Sequence, residues 1–276
     1  MNTIDIIPEY DIELINLFNY TDEIRNIILS NFEKYETLNT FDCNNCNLTK
    51  LPNLPNLLTS LDCHKNNLTE LPDLPNSLTF LKCDDNNLTK LPDLPDSLKY
   101  LLCKNINLTK LPKLPNSLTY LDCCVNLLTE LLDLPKSLTY LDCVDNNLTE
   151  LPILPNSLTK LVCHSNSLVV LPELPNSLTQ LDCRKNNLTE LPDLPNSLTH
   201  FYCNDNNFNL TYPDLEIKSI NQTNAKNKGI KIMKLLNRTL LLEQSAKITM
   251  NPKRIERLLD NKEINFFDGS FDTLTS

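Results

Sequence analysis

The chain has 276 residues, 41% of them hydrophobic, which is enough for a sizeable core and too many for wholesale disorder. Its two glycines exclude the glycine-rich loops that cradle phosphate, and a formal charge of −10 argues against generic binding to nucleic acid or anionic membrane. The charge is uneven, because residues 211–276 hold 11 Lys/Arg against 8 Asp/Glu, leaving 14 against 27 elsewhere. No apolar run reaches membrane-spanning length. The opening "MNTIDIIPEY" lacks a basic region followed by an apolar stretch, so no signal peptide is expected and the cytoplasm is the expected compartment.

Residues 1–36 predict a helical N-terminal cap of two short amphipathic helices, "YDIELINLFNY" and "TDEIRNIILSNF". The second places Ile24, Ile27, Ile28 and Phe32 on one face. "IPEYDIELINLFNY" also resembles the start of an F-box, which would imply a substrate adaptor of a ubiquitin ligase.

From residue 37 to 215 one unit recurs about nine times, L-P-x-L-P-x-S-L-T-x-L-x-C-x-x-N-N-L-T-x. Cys43, Cys63, Cys83, Cys103, Cys123, Cys143, Cys163, Cys183 and Cys203 mark its constant interval, one to each unit. In Tyr140-Leu141-Asp142-Cys143-Val144, apolar Leu141 and Cys143 alternate with outward neighbours, the period of a strand. "LPxLP" cannot be helix, since proline removes donors and fixes φ, so an extended, polyproline-like return segment is expected. A unit of this size cannot bury its leucines alone and must share a core with its neighbours.

Leu58-x-x-Leu61-x-Cys63-x-x-Asn66-x-Leu68 fits L-x-x-L-x-L-x-x-N/C-x-L with cysteine in the third apolar slot. On this motif the chain resembles the short "LPxLP" class of leucine-rich repeats found in bacterial secreted effectors, and its asparagine-rich units look like repeat proteins of giant viruses. The resemblance spans about residues 38–210 and implies a solenoid with a parallel concave β-sheet, a polyproline-like convex side, helical caps and a protein-binding role. Such effectors often append a ubiquitin ligase with a cysteine nucleophile. Here the segment after Cys203 contains no cysteine, so no such chemistry and no enzyme is expected.

Parallel strands about 4.8 Å apart would set the repeated thiols in an inward row, too far apart for the Cβ–Cβ distance of about 3.5–4.5 Å of a disulfide. Only Cys43-x-x-Cys46 has metal-ligand spacing, and it lacks a second pair. Cys63, Cys83, Cys103, Cys123, Cys143, Cys163 and Cys183 are therefore expected as structural core, with Asn66, Asn86, Asn146 and Asn186 bridging backbone between coils. Ile106 takes the asparagine slot in one coil and predicts a broken bridge and a kink; Leu132 replaces a proline. Cys124 is expected to point outward as the most reactive thiol. The recurrent N-x-T sequons and P-x-x-P spacings read as by-products of the repeat. No metal or other cofactor is expected, and His64, His164 and His200 are too scattered to pair.

The outward columns vary where the core columns do not. Phe80, Tyr100, Tyr120 and Tyr140 form an aromatic stripe that ends in Lys160, Gln180 and His200, flanked by Asp62, Asp122, Asp142 and Asp182. These residues are candidate contacts for a protein segment bearing basic residues. The alternative is that tyrosine simply suits an exposed strand.

Residues 216–276 predict a helical C-terminal cap and a flexible end, with Lys231, Lys234 and Arg238 on a basic face. That face is either solvated or a second binding surface for a membrane or partner helix. The reading as a whole is a non-enzymatic protein-binding module, with ligase adaptor and structural particle component as alternatives.

Overall fold

The computed structural model describes residues 13–208, which form one parallel sheet of ten short strands in chain order. Strands β1 (Leu14–Asn16), β2 (Thr40–Asp42), β3 (Ser60–Asp62), β4 (Phe80–Lys82) and β5 (Tyr100–Leu102) make the first half. Strands β6 (Tyr120–Asp122), β7 (Tyr140–Asp142), β8 (Lys160–Val162), β9 (Gln180–Asp182) and β10 (His200–Tyr202) make the second. From β2 onward each strand pairs with its equivalent in the next unit, so Tyr120 lies beside Tyr140, Leu121 beside Leu141 and Asp122 beside Asp142. A constant period stacks like upon like. The middle residue of each strand faces inward and is buried, from Phe41 through the leucines to Phe201.

All eleven cysteines are free and buried. Cys103 Sγ donates to the carbonyl of Asp122 at 3.4 Å and Cys123 Sγ to that of Asp142 at 3.4 Å, a pattern shared by Cys83, Cys143 and Cys183. The thiol thus acts as a small apolar filler whose weak donor meets the next coil. Burial pushes these thiols well above their ordinary pKa, and at the last coil Cys203 is pushed up to about 11.

Each asparagine clamps two coils. Asn126 Nδ2 donates to the carbonyls of Cys103 at 2.9 Å, Cys123 at 3.0 Å and Cys124 at 3.2 Å, while its Oδ1 accepts from Leu108 N at 3.0 Å and Ile106 N at 3.2 Å. Asn66, Asn86, Asn146 and Asn186 are buried in the same arrangement. Ile106 fills its slot fully buried and offers no amide, so Leu88 N lacks the acceptor that Leu108 N finds. The backbone departs locally at this slot, where Asn107 has a positive φ of 61°, while β4, β5 and β6 keep their register across the gap.

The residue before each asparagine slot has positive φ, at Lys65, Asp85, Asn105, Val125, Asp145, Ser165, Lys185 and Asp205. Val125, at φ 55°, is the β-branched exception, and its branched carbon crowds the backbone in the left-handed region at a cost of about 1–2 kcal/mol. Val125→Asn is expected to raise stability by about 1 kcal/mol. A urea midpoint that stays put or falls would refute that account.

The segments "LPxLP" are neither helix nor strand, and Ser77 Oγ stitches adjacent coils through Leu58 O at 2.6 Å, as Ser97 and Ser117 do in later units. Leu132, in a proline position, is 52% exposed and lines a shallow groove with Lys113 and Asp133.

At the N-terminal side the structure differs from the expectation. The first predicted helix is replaced by β1 and a 3-10 turn at Leu17–Asn19. The reason is the open edge of the sheet: Asn39 N and Thr40 N both donate to Glu13 O, and Ile15 and Leu17 are buried. Helix α1 (Asp22–Ser30) follows, burying Ile28, and Phe32 then packs on Phe41 of β2 with ring centroids 4.5 Å apart. Residues 1–12, the C-terminal segment 216–276 and its basic face lie outside the described residues.

Candidate functional site on the concave sheet face

Because side chains alternate across a strand, the first and third residues of each strand stand on the open face. The exact repeat turns those positions into columns. Phe80 and Tyr100 have ring centroids 6.3 Å apart, Tyr100 and Tyr120 6.1 Å, and Tyr120 and Tyr140 lie 4.1 Å apart and nearly parallel. Tyr100 is 45% exposed, and the other rings are partly exposed. The column continues with Lys160, whose ammonium lies 5.0 Å from the Tyr140 ring. His200 stands farther along and bonds Thr199 Oγ1 at 3.0 Å.

The carboxylates beside the rings fall into two groups. Asp62 is met by His64 and by Lys82 at 3.9 Å, and Asp182 receives a forked contact from Arg184 at 2.9 and 2.7 Å. Asp122 and Asp142, between them, have no ion pair among the described residues. Asp122 accepts from Cys124 N at 3.1 Å, and Asp142 accepts from Val144 N at 3.2 Å and the Tyr140 hydroxyl at 3.4 Å. Burial pushes the Asp142 carboxyl up, and it does the same to Asp84, whose Oδ1 accepts from Lys104 N at 2.7 Å.

Cys124 is not the exposed, reactive thiol that its place after Cys123 predicts. It is 7% exposed, and burial, a hydrogen bond with Asp122 and the charges of Asp122 and Asp142 all push its pKa up. Two carboxylates beside a thiol disfavour a third anion there. Asp122, Cys124 and Asp142 bring three donor atoms within 4.8 Å of one another. Together they form an acidic cluster on the open face of the sheet. The place of Cys124 in this cluster was not expected from the sequence; its sign was the uncharged third residue in Asp122-Cys123-Cys124 and Asp142-Cys143-Val144, where Asp182-Cys183-Arg184 carries a cation.

Solved structures share this fold. The leucine-rich effector YopM from Yersinia pestis is 38% identical over 66% of this chain and 52% of that one, with a TM-score of 0.61. The functional domain of InlJ from Listeria monocytogenes, which includes a cysteine ladder, is 38% identical over 66% of this chain and 42% of that one, at 0.59. A Shigella effector leucine-rich repeat domain is 30% identical over 60% of this chain and 76% of that one, at 0.52. The chain belongs to the leucine-rich repeat family. As a leucine-rich repeat protein it spans about half the length of YopM and less of InlJ. No family model matches it, and no curated protein matches significantly. Folds of this kind are typically protein-interaction modules rather than catalytic domains.

Proposed function

We propose that this leucine-rich repeat protein is a non-enzymatic binding module that holds a protein partner on the concave face of its sheet, acting as an effector-like protein in a host cytosol. One observation carries the reading: four aromatic rings run across adjacent strands on the open face, with carboxylates beside them. Aromatic anchors ringed by polar groups are what concentrate binding energy at protein interfaces. The effector neighbours support the class of partner, and no helix among the described residues is long and apolar enough to cross a membrane. Ile15 and Leu17, from the segment that resembles an F-box, are buried against the solenoid, which supports a capping role over a ligase adaptor.

Replacing Tyr100, Tyr120 and Tyr140 together by lysine is expected to weaken capture of a host partner by about 30-fold or more, the effect of losing one strong aromatic anchor. The circular dichroism spectrum should stay that of the parent. Capture at parental affinity by a folded triple variant would count against the reading.

A further inference from the structure

We propose that the partner enters this face through an arginine side chain, whose guanidinium docks against the carboxylates of Asp122 and Asp142 beside the stacked rings of Tyr120 and Tyr140. This rests on the concave face being the binding surface and names the chemistry of what it binds.

Some acids on this face are already matched by cations. His64 serves Asp62 and Arg184 serves Asp182, while Asp42, at the far end of the column, is met by the side-chain amides of Asn16 and Asn44. In the two central coils the corresponding residues are Cys124 and Val144, which carry no positive charge, and no ion pair reaches either acid among the described residues. Lys104 and His164 act on this cluster only from beyond ion-pair distance. Asp122 and Asp142 lie in register on neighbouring strands, so their carboxylates stand side by side. Asp84, only 8% exposed and on the coil two strands before Asp122, lies outside this close group and accepts from Lys104 N. Burial raises the Asp142 carboxyl and the neighbouring Asp122 charge raises it further, and an incoming cation offsets the second of these effects.

The molecule contains its own template for the missing contact. Arg184 forks onto Asp182 while its guanidinium carbon lies 5.2 Å from the Tyr202 ring centroid. Asp122 and Asp142 with Tyr120 and Tyr140 offer the same elements, two acceptors and an aromatic surface, with the Lys160 ammonium near the Tyr140 ring but no cation on the carboxylates. A guanidinium suits this geometry better than an ammonium, because it is planar, donates in parallel and stacks on rings.

The test uses the full chain and three probes, N-acetyl-glycyl-arginyl-glycine amide and its lysine and citrulline counterparts, followed by the ring resonances of Tyr120 and Tyr140. The arginine probe is expected to shift those resonances saturably, the lysine probe to bind at least about threefold more weakly, and the uncharged citrulline probe to leave them unmoved. Asp122→Asn with Asp142→Asn should weaken the arginine probe by about tenfold or more, whereas Asp62→Asn should not. Equal response to arginine and lysine, or an unchanged response in the double variant, overturns the proposal. So does binding of Zn²⁺ alone that displaces the arginine probe and is lost in Cys124→Ser, since the cluster would then be a metal site. Partner capture that fails in the tyrosine variant but survives in the aspartate variant sinks the arginine anchor and leaves concave-face binding standing.

Discussion

Raising the pH from about 8 to about 10 should unfold this solenoid cooperatively, with thiolate absorbance and loss of the sheet signal rising together. Eight buried thiols, Cys43, Cys63, Cys83, Cys103, Cys123, Cys143, Cys163 and Cys183, have folded pKa values raised by burial. In the unfolded chain each returns to about 8.5. Below about pH 7.5 both states hold every thiol proton and the slope vanishes. Above about 8.5 the unfolded state gives up protons that the folded state keeps, so it binds fewer and stability falls as pH rises. Each thiol contributes a limiting slope of about 1.4 kcal/mol per pH unit, and eight contribute about 11. Against a total stability of about 5–15 kcal/mol, that is decisive within about one to two pH units. Cys143→Ala and Cys163→Ala should each remove about one proton from the transition. If thiolates form while the sheet signal persists, the thiols are not shielded as the fold requires.

The second large effect is expected at Asn126. Asn126→Ala removes the amide that serves Ile106 N, Leu108 N and the carbonyls of Cys103, Cys123 and Cys124, leaving buried backbone groups unmatched. The two orphaned N–H donors, Ile106 N and Leu108 N, cost about 1–3 kcal/mol each, so the variant should lose about 2–6 kcal/mol. The neighbouring Ile106 slot already lacks its clamp, so two successive interfaces would be weakened. In a one-dimensional array that concentrates the loss at one place, and Asn126→Ala should cost more than Asn186→Ala. Urea unfolding of both variants measures the difference. A loss below about 1 kcal/mol at Asn126 would mean that water or backbone movement replaces the amide.

A strict period was sufficient to read the stacked coils, the inward cysteines and the asparagine slots from the chain alone, because every unit must solve the same packing problem against a copy of itself. Periodicity also laid out the aromatic and acidic columns on the open face, since equal spacing sends equal positions to equal places. Three features depended on contacts between coils. Leu14–Asn16 became a strand because a sheet edge needed a partner for its backbone, and local helical pattern carries no record of that need. Positive φ at the turn before each asparagine slot went unsignalled, since lysine, aspartate, serine and even Val125 occupy a conformation usually marked by glycine. Cys124 was buried between two acids, and those acids were left without a cation, through side chains contributed by the adjoining coils; charge balance across a surface is a property of the assembled columns, which only the tertiary structure decides.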